Sequence, residues 1–221
     1  MIFKSNIDRA VKHPNFIVSA SGDYDQILHS LFEHLESEIR SGKRFDAGQT
    51  IQFGWMVLML NANGQGDLEI WEPDFSSMPI NWEFSLDKAL RDMYLQRELC
   101  AQAGLAPEFP SLLQRGIVSP VFVPNTGFVM SREAQQDGDS GWFFLGREDQ
   151  RDKGKYCSLF EISITAPWIV PFLALPPEVI VKCDLSSIEI KTKNGIISSN
   201  NNEILRKLLD KWNVNGRDVL H

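Results

Sequence analysis

The sequence predicts an α+β protein with antiparallel sheets, packed helices and two subdomains. Three observations carry that expectation. Residues 24–41 place Ile27, Leu28, Leu31, Phe32, Leu35 and Ile39 on one face at helical spacing. Residues 50–61 and 67–71 are apolar, β-favouring runs joined by Asn63-Gly64-Gln65-Gly66, the pattern of an antiparallel hairpin. Residues 127–130 and 142–145 are two further apolar runs. They bracket a polar turn, 133–141, with three carboxylates and two glycines, and a second acidic turn, 146–152, follows.

The remaining elements follow in order. Residues 16–20 form a short strand, Ser21-Gly22-Asp23 offers a cap to the first helix, and Gly42 ends it. Pro73 and Pro79 bracket an irregular link. Ser85 is an N-cap for a second helix over 86–103, although Lys88 stands where a capping box wants Glu. Leu86, Ala89, Leu90, Met93 and Cys100 make the buried face of that helix, and Gly104 closes it. The prolines of 106–110 separate the halves. Residues 116–123 are strand-like, the 131–149 segment follows, and then 156–164. Pro167 opens a short helix to Leu173, which Leu175-Pro176-Pro177 must end. Strands are expected over 178–183 and 187–192. A terminal helix over 202–212 carries Ile204, Leu205, Leu208, Leu209 and Trp212 as its stripe. The implied division is an α+β extension at 1–108, a second α+β domain at 109–184, and a strand-and-helix tail at 185–221.

Composition narrows the function classes. The net charge of −7 disfavours binding to nucleic acid through phosphate neutralisation. Charge is uneven: residues 182–221 hold seven basic and five acidic side chains, whereas 1–181 hold 15 and 24. The acidic surface therefore belongs to the body of the chain, which suits a basic protein partner. Cys100, Cys157 and Cys183 are odd in number and far apart, without metal or redox spacing, and read as small buried hydrophobes in a reducing compartment. Residues 1–16 are not a secretory signal, and no segment is long enough to span a bilayer, so the expected location is cytoplasmic, with no membrane partner.

No set of residues suits catalysis. His29/Glu33 and His34/Glu38 are i,i+4 pairs on the first helix, but they lack an HExxH pattern or a third ligand and read as a solvated face. Ser140 sits in Asp139-Ser140-Gly141, not in a nucleophile elbow, and reads as a turn residue. Gly138, Gly141 and Gly146 do not fit a phosphate loop. Asp137, Asp139, Glu148, Asp149 and Asp152 lack the calcium-loop spacing. Neither a metal nor a cofactor is expected, and the chain is expected not to be an enzyme. The carboxylates flanking the hairpin are instead candidate partner contacts. Trp142, at the start of a strand beside them, is either an interface anchor or a core residue.

Several motifs carry a resemblance. They are Val129-Met130-Ser131-Arg132-Glu133, Asp139-Ser140-Gly141-Trp142-Phe143, Gly146 with Glu148-Asp149, Tyr156-Cys157-Ser158-Leu159-Phe160-Glu161, and Pro171-Phe172-Leu173-Ala174-Leu175-Pro176-Pro177. In this order, residues 127–181 resemble the immunity protein 33 family of bacterial polymorphic-toxin systems. Gly54-Trp55-Met56-Val57, Glu72-Pro73-Asp74 and Leu95-Gln96-Arg97 resemble the extension of longer members. The resemblance implies an α+β antidote without catalysis that occludes a cognate toxin, with no catalytic residues to carry over. The partner contacts expected are then Asp137, Asp139, Trp142, Glu148, Asp149 and Asp152. A nuclease is one toxin that an acidic chain suits. A small metal-dependent hydrolase using His29 and His34, and an adaptor whose partner is not a toxin, are the alternatives.

Overall fold

The stripe on residues 24–41 becomes helix α1, Asp25–Arg40, which buries Leu28, Leu31, Phe32, Leu35 and Ile39. The computed structural model describes residues 1–7, 11–76, 78–123, 127–146 and 153–218, with side chains as far as Asn213. Its contacts divide the chain into two units, Met1–Leu95 and Gln96–His221. Both are built from helices and a mixed, mostly antiparallel sheet, so the fold is α+β.

In the first unit the strands are β1 (Ile2–Lys4), β2 (Phe16–Ser19), β3 (Thr50–Phe53), β4 (Met56–Ala62), β5 (Leu68–Asp74) and β6 (Asn81–Glu83). Among the described residues the sheet order is β1-β2-β5-β4-β3, with β6 on β5. The run at 50–61 is not one strand. It folds back at Gly54-Trp55, so that Phe53 pairs with Met56. The expected hairpin is then β4–β5, with Met59 opposite Trp71. Strand β2 joins it in parallel, Phe16 beside Leu68. Phe16, Val18, Leu58, Leu60 and Ile70 are buried and, with the stripe of α1, form this unit's core.

Helix α2, Asp87–Gln102, begins in this unit, and the division between units falls within it. Its incomplete capping box is made good from elsewhere. The Asp87 N–H donates to Ser85 Oγ at 3.1 Å, and Glu72 on β5 accepts the N–H groups of Lys88 and Ala89 at 3.2 and 2.7 Å. Glu72 is fully buried. Burial pushes its carboxyl above the ordinary range, opposed by these hydrogen bonds and one from Ser85. The carboxylate also faces the positive end of the helix, which favours its charged form.

The second unit contains β7 (Arg115–Val118), β8 (Phe128–Arg132), β9 (Asp139–Leu145), β10 (Lys155–Ser158), β11 (Ile180–Cys183), β12 (Ile188–Thr192) and β13 (Gly195–Ser198). It also holds α3 (Leu159–Thr165), a 3-10 turn at Pro167–Phe172, and α4 (Glu203–Asp218). Among the described residues the sheet order is β10-β7-β9-β8-β11-β12-β13, antiparallel except for the β7–β9 pair. The hairpin read from the sequence is β8–β9, with Met130 opposite Phe144 and Arg132 opposite Trp142. Residues 156–164 are not uniform: β10 turns at Ser158 into α3, because Ser158 Oγ accepts the Glu161 N–H at 3.2 Å and caps the helix. Helix α4 buries Leu205, Leu209 and Trp212, and Trp212 packs edge-on against Phe128. No described helix is long and apolar enough to cross a membrane.

Candidate functional site

The motif residues of the hairpin converge on one buried side chain, Arg132, which is 2% exposed. Along β8, Phe128, Met130 and Arg132 all point inward, because side chains alternate along a strand and these three are in phase. The guanidinium has no carboxylate beside it as an ion-pair partner among the described residues. It is held by main-chain carbonyls instead. Nε donates to Ser140 O at 3.1 Å, and Nη1 donates to Glu108 O at 2.7 Å and Leu175 O at 2.6 Å, with Leu173 O further off at 3.4 Å. The guanidinium also lies 5.6 Å from the centroid of the Trp142 ring. Burial draws its pKa down to about 10, opposed by the charge of Glu108 and then by Cys100, so it stays charged at neutral pH. Arg132 thus ties β8 to β9, to the proline-flanked segment at Glu108, and to the turn before Pro176. The β8 main chain joins the same turn: Glu178, at φ 68°, donates its N–H to Arg132 O at 2.9 Å.

The four residues Asp139 to Trp142 are spent on shape. Asp139 Oδ1 accepts the Gly141 N–H at 2.8 Å, and Ser140 Oγ donates to Arg115 O at 2.8 Å. Gly141 has φ +75°, and a Cβ there would stand 2.2 Å from Glu133 O, so a side chain is excluded by conformation and by space. Gly146 is constrained by space, since a Cβ would fall 2.2 Å from Val121 O. Trp142 is fully buried, and its Nε1–H donates to Leu173 O at 3.0 Å. Ser140 therefore serves the β7–β9 junction as a hydrogen-bonded strut.

Of the expected partner contacts, Asp137 is exposed at the tip of the turn and Asp139 is half-buried with one oxygen engaged. Trp142 offers a partner no surface: of the two readings left open for it, the core position is the one it occupies. Glu148, Asp149 and Asp152 lie outside the described residues. The hairpin thus sets Trp142 against Arg132 inside the molecule, keeps Asp139 half-buried and leaves Asp137 at the surface. Sequence reasoning quoted Arg132 in a motif and gave it no role. A charged residue in phase with two large apolar ones on a strand was the available sign.

Among the described residues, no group of three or more His, Cys, Asp or Glu side chains is placed to hold a metal ion. His29 and His34 are exposed on α1. Burial pushes the Cys100 thiol up to about 12, and Cys100 Sγ donates to Ala174 O at 3.4 Å. Burial, then hydrogen bonding and charge from Glu161, pushes Cys157 up to about 12, and burial also raises Cys183. All three are therefore thiols at neutral pH rather than nucleophilic thiolates.

Fold and site together define an α+β protein whose motif residues build a scaffold rather than a reaction centre. Residues 95–192 match the Imm33-like domain family, a span just under half of the chain. The match begins at Leu95, one residue before the second unit, and includes every motif quoted from Val129 to Pro177. Comparisons with curated proteins and with solved structures give no match.

Proposed function

We propose that this chain is an immunity protein that binds a cognate bacterial toxin stoichiometrically and blocks it by occlusion, without catalysis of its own. The observation that carries this reading is the Imm33-like domain at residues 95–192. The use of its motif residues supports it: Arg132, Asp139, Ser140, Gly141 and Trp142 hold the domain in shape, which leaves function to the surface around them. The site of action proposed is the cytoplasm, with a toxin delivered by a polymorphic-toxin system, type VI secretion among them. On this reading the contacts lie at the carboxylates about the hairpin, with Asp137 exposed before β9 and Glu148, Asp149 and Asp152 following that strand in sequence.

Charge refines the choice of toxin. Residues 1–95 hold eight basic and fourteen acidic side chains, a net of −6, whereas 96–221 hold fourteen and fifteen, a net of −1. A basic toxin such as a nuclease would therefore be steered chiefly by the first unit, with the hairpin supplying local contacts. Coexpression with the product of the adjacent gene tests the proposal. Growth should be rescued and the two chains should copurify. A neighbour that is harmless when expressed alone and forms no complex removes the reading.

A further inference from the structure

Among the described residues, strand β10 ends the seven-stranded sheet, and one side of Lys155–Ser158 has no neighbouring strand. Such an edge is a template for another strand unless the protein defends it. Tyr156 on this edge is 59% exposed. Beside it lies a groove of about 490 Å³ lined by Val118, Pro120, Phe122 and Ile162, with Lys155 and Glu161 at its rim. The charges around the strand are ordered. Lys153 and Lys155 stand at its start, and Glu161 stands just past its end, in the first turn of α3. None of the three has an ion-pair partner among the described residues. A lysine alone would read as a guard against pairing. A basic start and an acidic finish instead make the edge complementary to an inverted copy of itself.

We propose that β10 is a self-association edge, at which two copies of this chain pair antiparallel about a two-fold axis. In the register that sets Tyr156 opposite Ser158 of the partner subunit, with Cys157 on the axis, paired residues share a face and the lysines of each copy approach the acidic end of the other. The two-fold forms that contact twice. Tyr156 is covered in the same step, and both sheets continue into one. The complementarity is contained in this sequence alone, which favours a second copy over a foreign strand. The inference does not depend on the toxin reading.

Sedimentation equilibrium of the full chain, over a wide concentration range, tests it. A monomer–dimer equilibrium is expected, and hydrogen exchange at residues 155–158 should slow as concentration rises. Lys155→Glu and Glu161→Lys, each a surface change, should each weaken the dimer by roughly tenfold or more, because like charges then meet twice. The double variant, Lys155→Glu with Glu161→Lys, should recover most of that loss. A monomer at every concentration overturns the proposal, as does a dimer indifferent to both single reversals or one whose double variant is no better than the singles. A monomer whose β10 amides become protected only on adding a toxin assigns the edge to a foreign strand and overturns it equally.

Discussion

Arg132 shows how a motif can be spent on architecture. A guanidinium taken out of water needs its donors matched, and main-chain carbonyls of three separate segments match Nε and Nη1 here, while the buried Nη2 has no hydrogen-bond partner among the described residues. Lysine cannot imitate that fork, since its donors radiate from one point. Arg132→Lys should therefore cost about 2–4 kcal/mol, because carbonyls are left unmatched in the core. A lower urea midpoint at unchanged slope is the expected reading, and an unchanged midpoint would remove Arg132 as the tie. Gly141→Ala should cost at least about 2 kcal/mol, because the added methyl meets main chain and not a movable side-chain tip. Glu72 makes a prediction in pH. Its folded pKa is raised, so its contribution to stability is fully present below the unfolded value, about 4.3, and is lost as pH rises through the folded value. Glu72→Gln keeps an acceptor for α2 and removes the titration. The stability of the variant relative to the parent should improve from pH 4 to pH 7, measured by denaturant unfolding. A difference independent of pH would contradict the raised pKa.

At the scale of elements, strong periodicity was legible and tertiary pairing was not. The stripes of α1 and α4 and the β8–β9 hairpin follow from spacing alone, because one face of each is buried. The turn at Gly54-Trp55 was hidden because apolar residues flank it on both sides, so a two-strand segment reads as one. The parallel pairs β2–β5 and β7–β9 leave no local trace, since their partners are brought together by the rest of the fold. Helix α3 did have a sign. Ser158-Leu159-Phe160-Glu161 has capping-box spacing, although the apolar residues around it suit a strand as well. Ser158→Ala should cost about 1 kcal/mol by removing the acceptor for the Glu161 N–H. Thermal unfolding checks this, and an unchanged midpoint would show that α3 is held by packing alone. At the site, Asp137 was legible as a turn carboxylate. The role of Arg132 was not, because its partners are carbonyls, which carry no residue identity.

The whole molecule joins a second unit of nearly balanced charge, which holds nearly all of the Imm33-like match at 95–192, to a first unit that carries most of the net negative charge. If attraction to a basic toxin starts at the first unit, association should slow as salt rises, since exposed charges are screened within roughly 10 Å at 0.1 M. Asp137→Lys should slow association further only if the hairpin forms part of the contact. Stopped-flow mixing at two salt concentrations separates the two contributions. The central claim is neutralisation by occupancy rather than by turnover. Titrating the purified toxin with increasing amounts of this chain, while recording residual toxin activity, tests it most directly. Activity should fall linearly and vanish near equimolar protomers. Loss of activity at a small fraction of an equivalent, deepening with time, would mean that the chain acts catalytically and would contradict the account, as would full activity in excess of the chain.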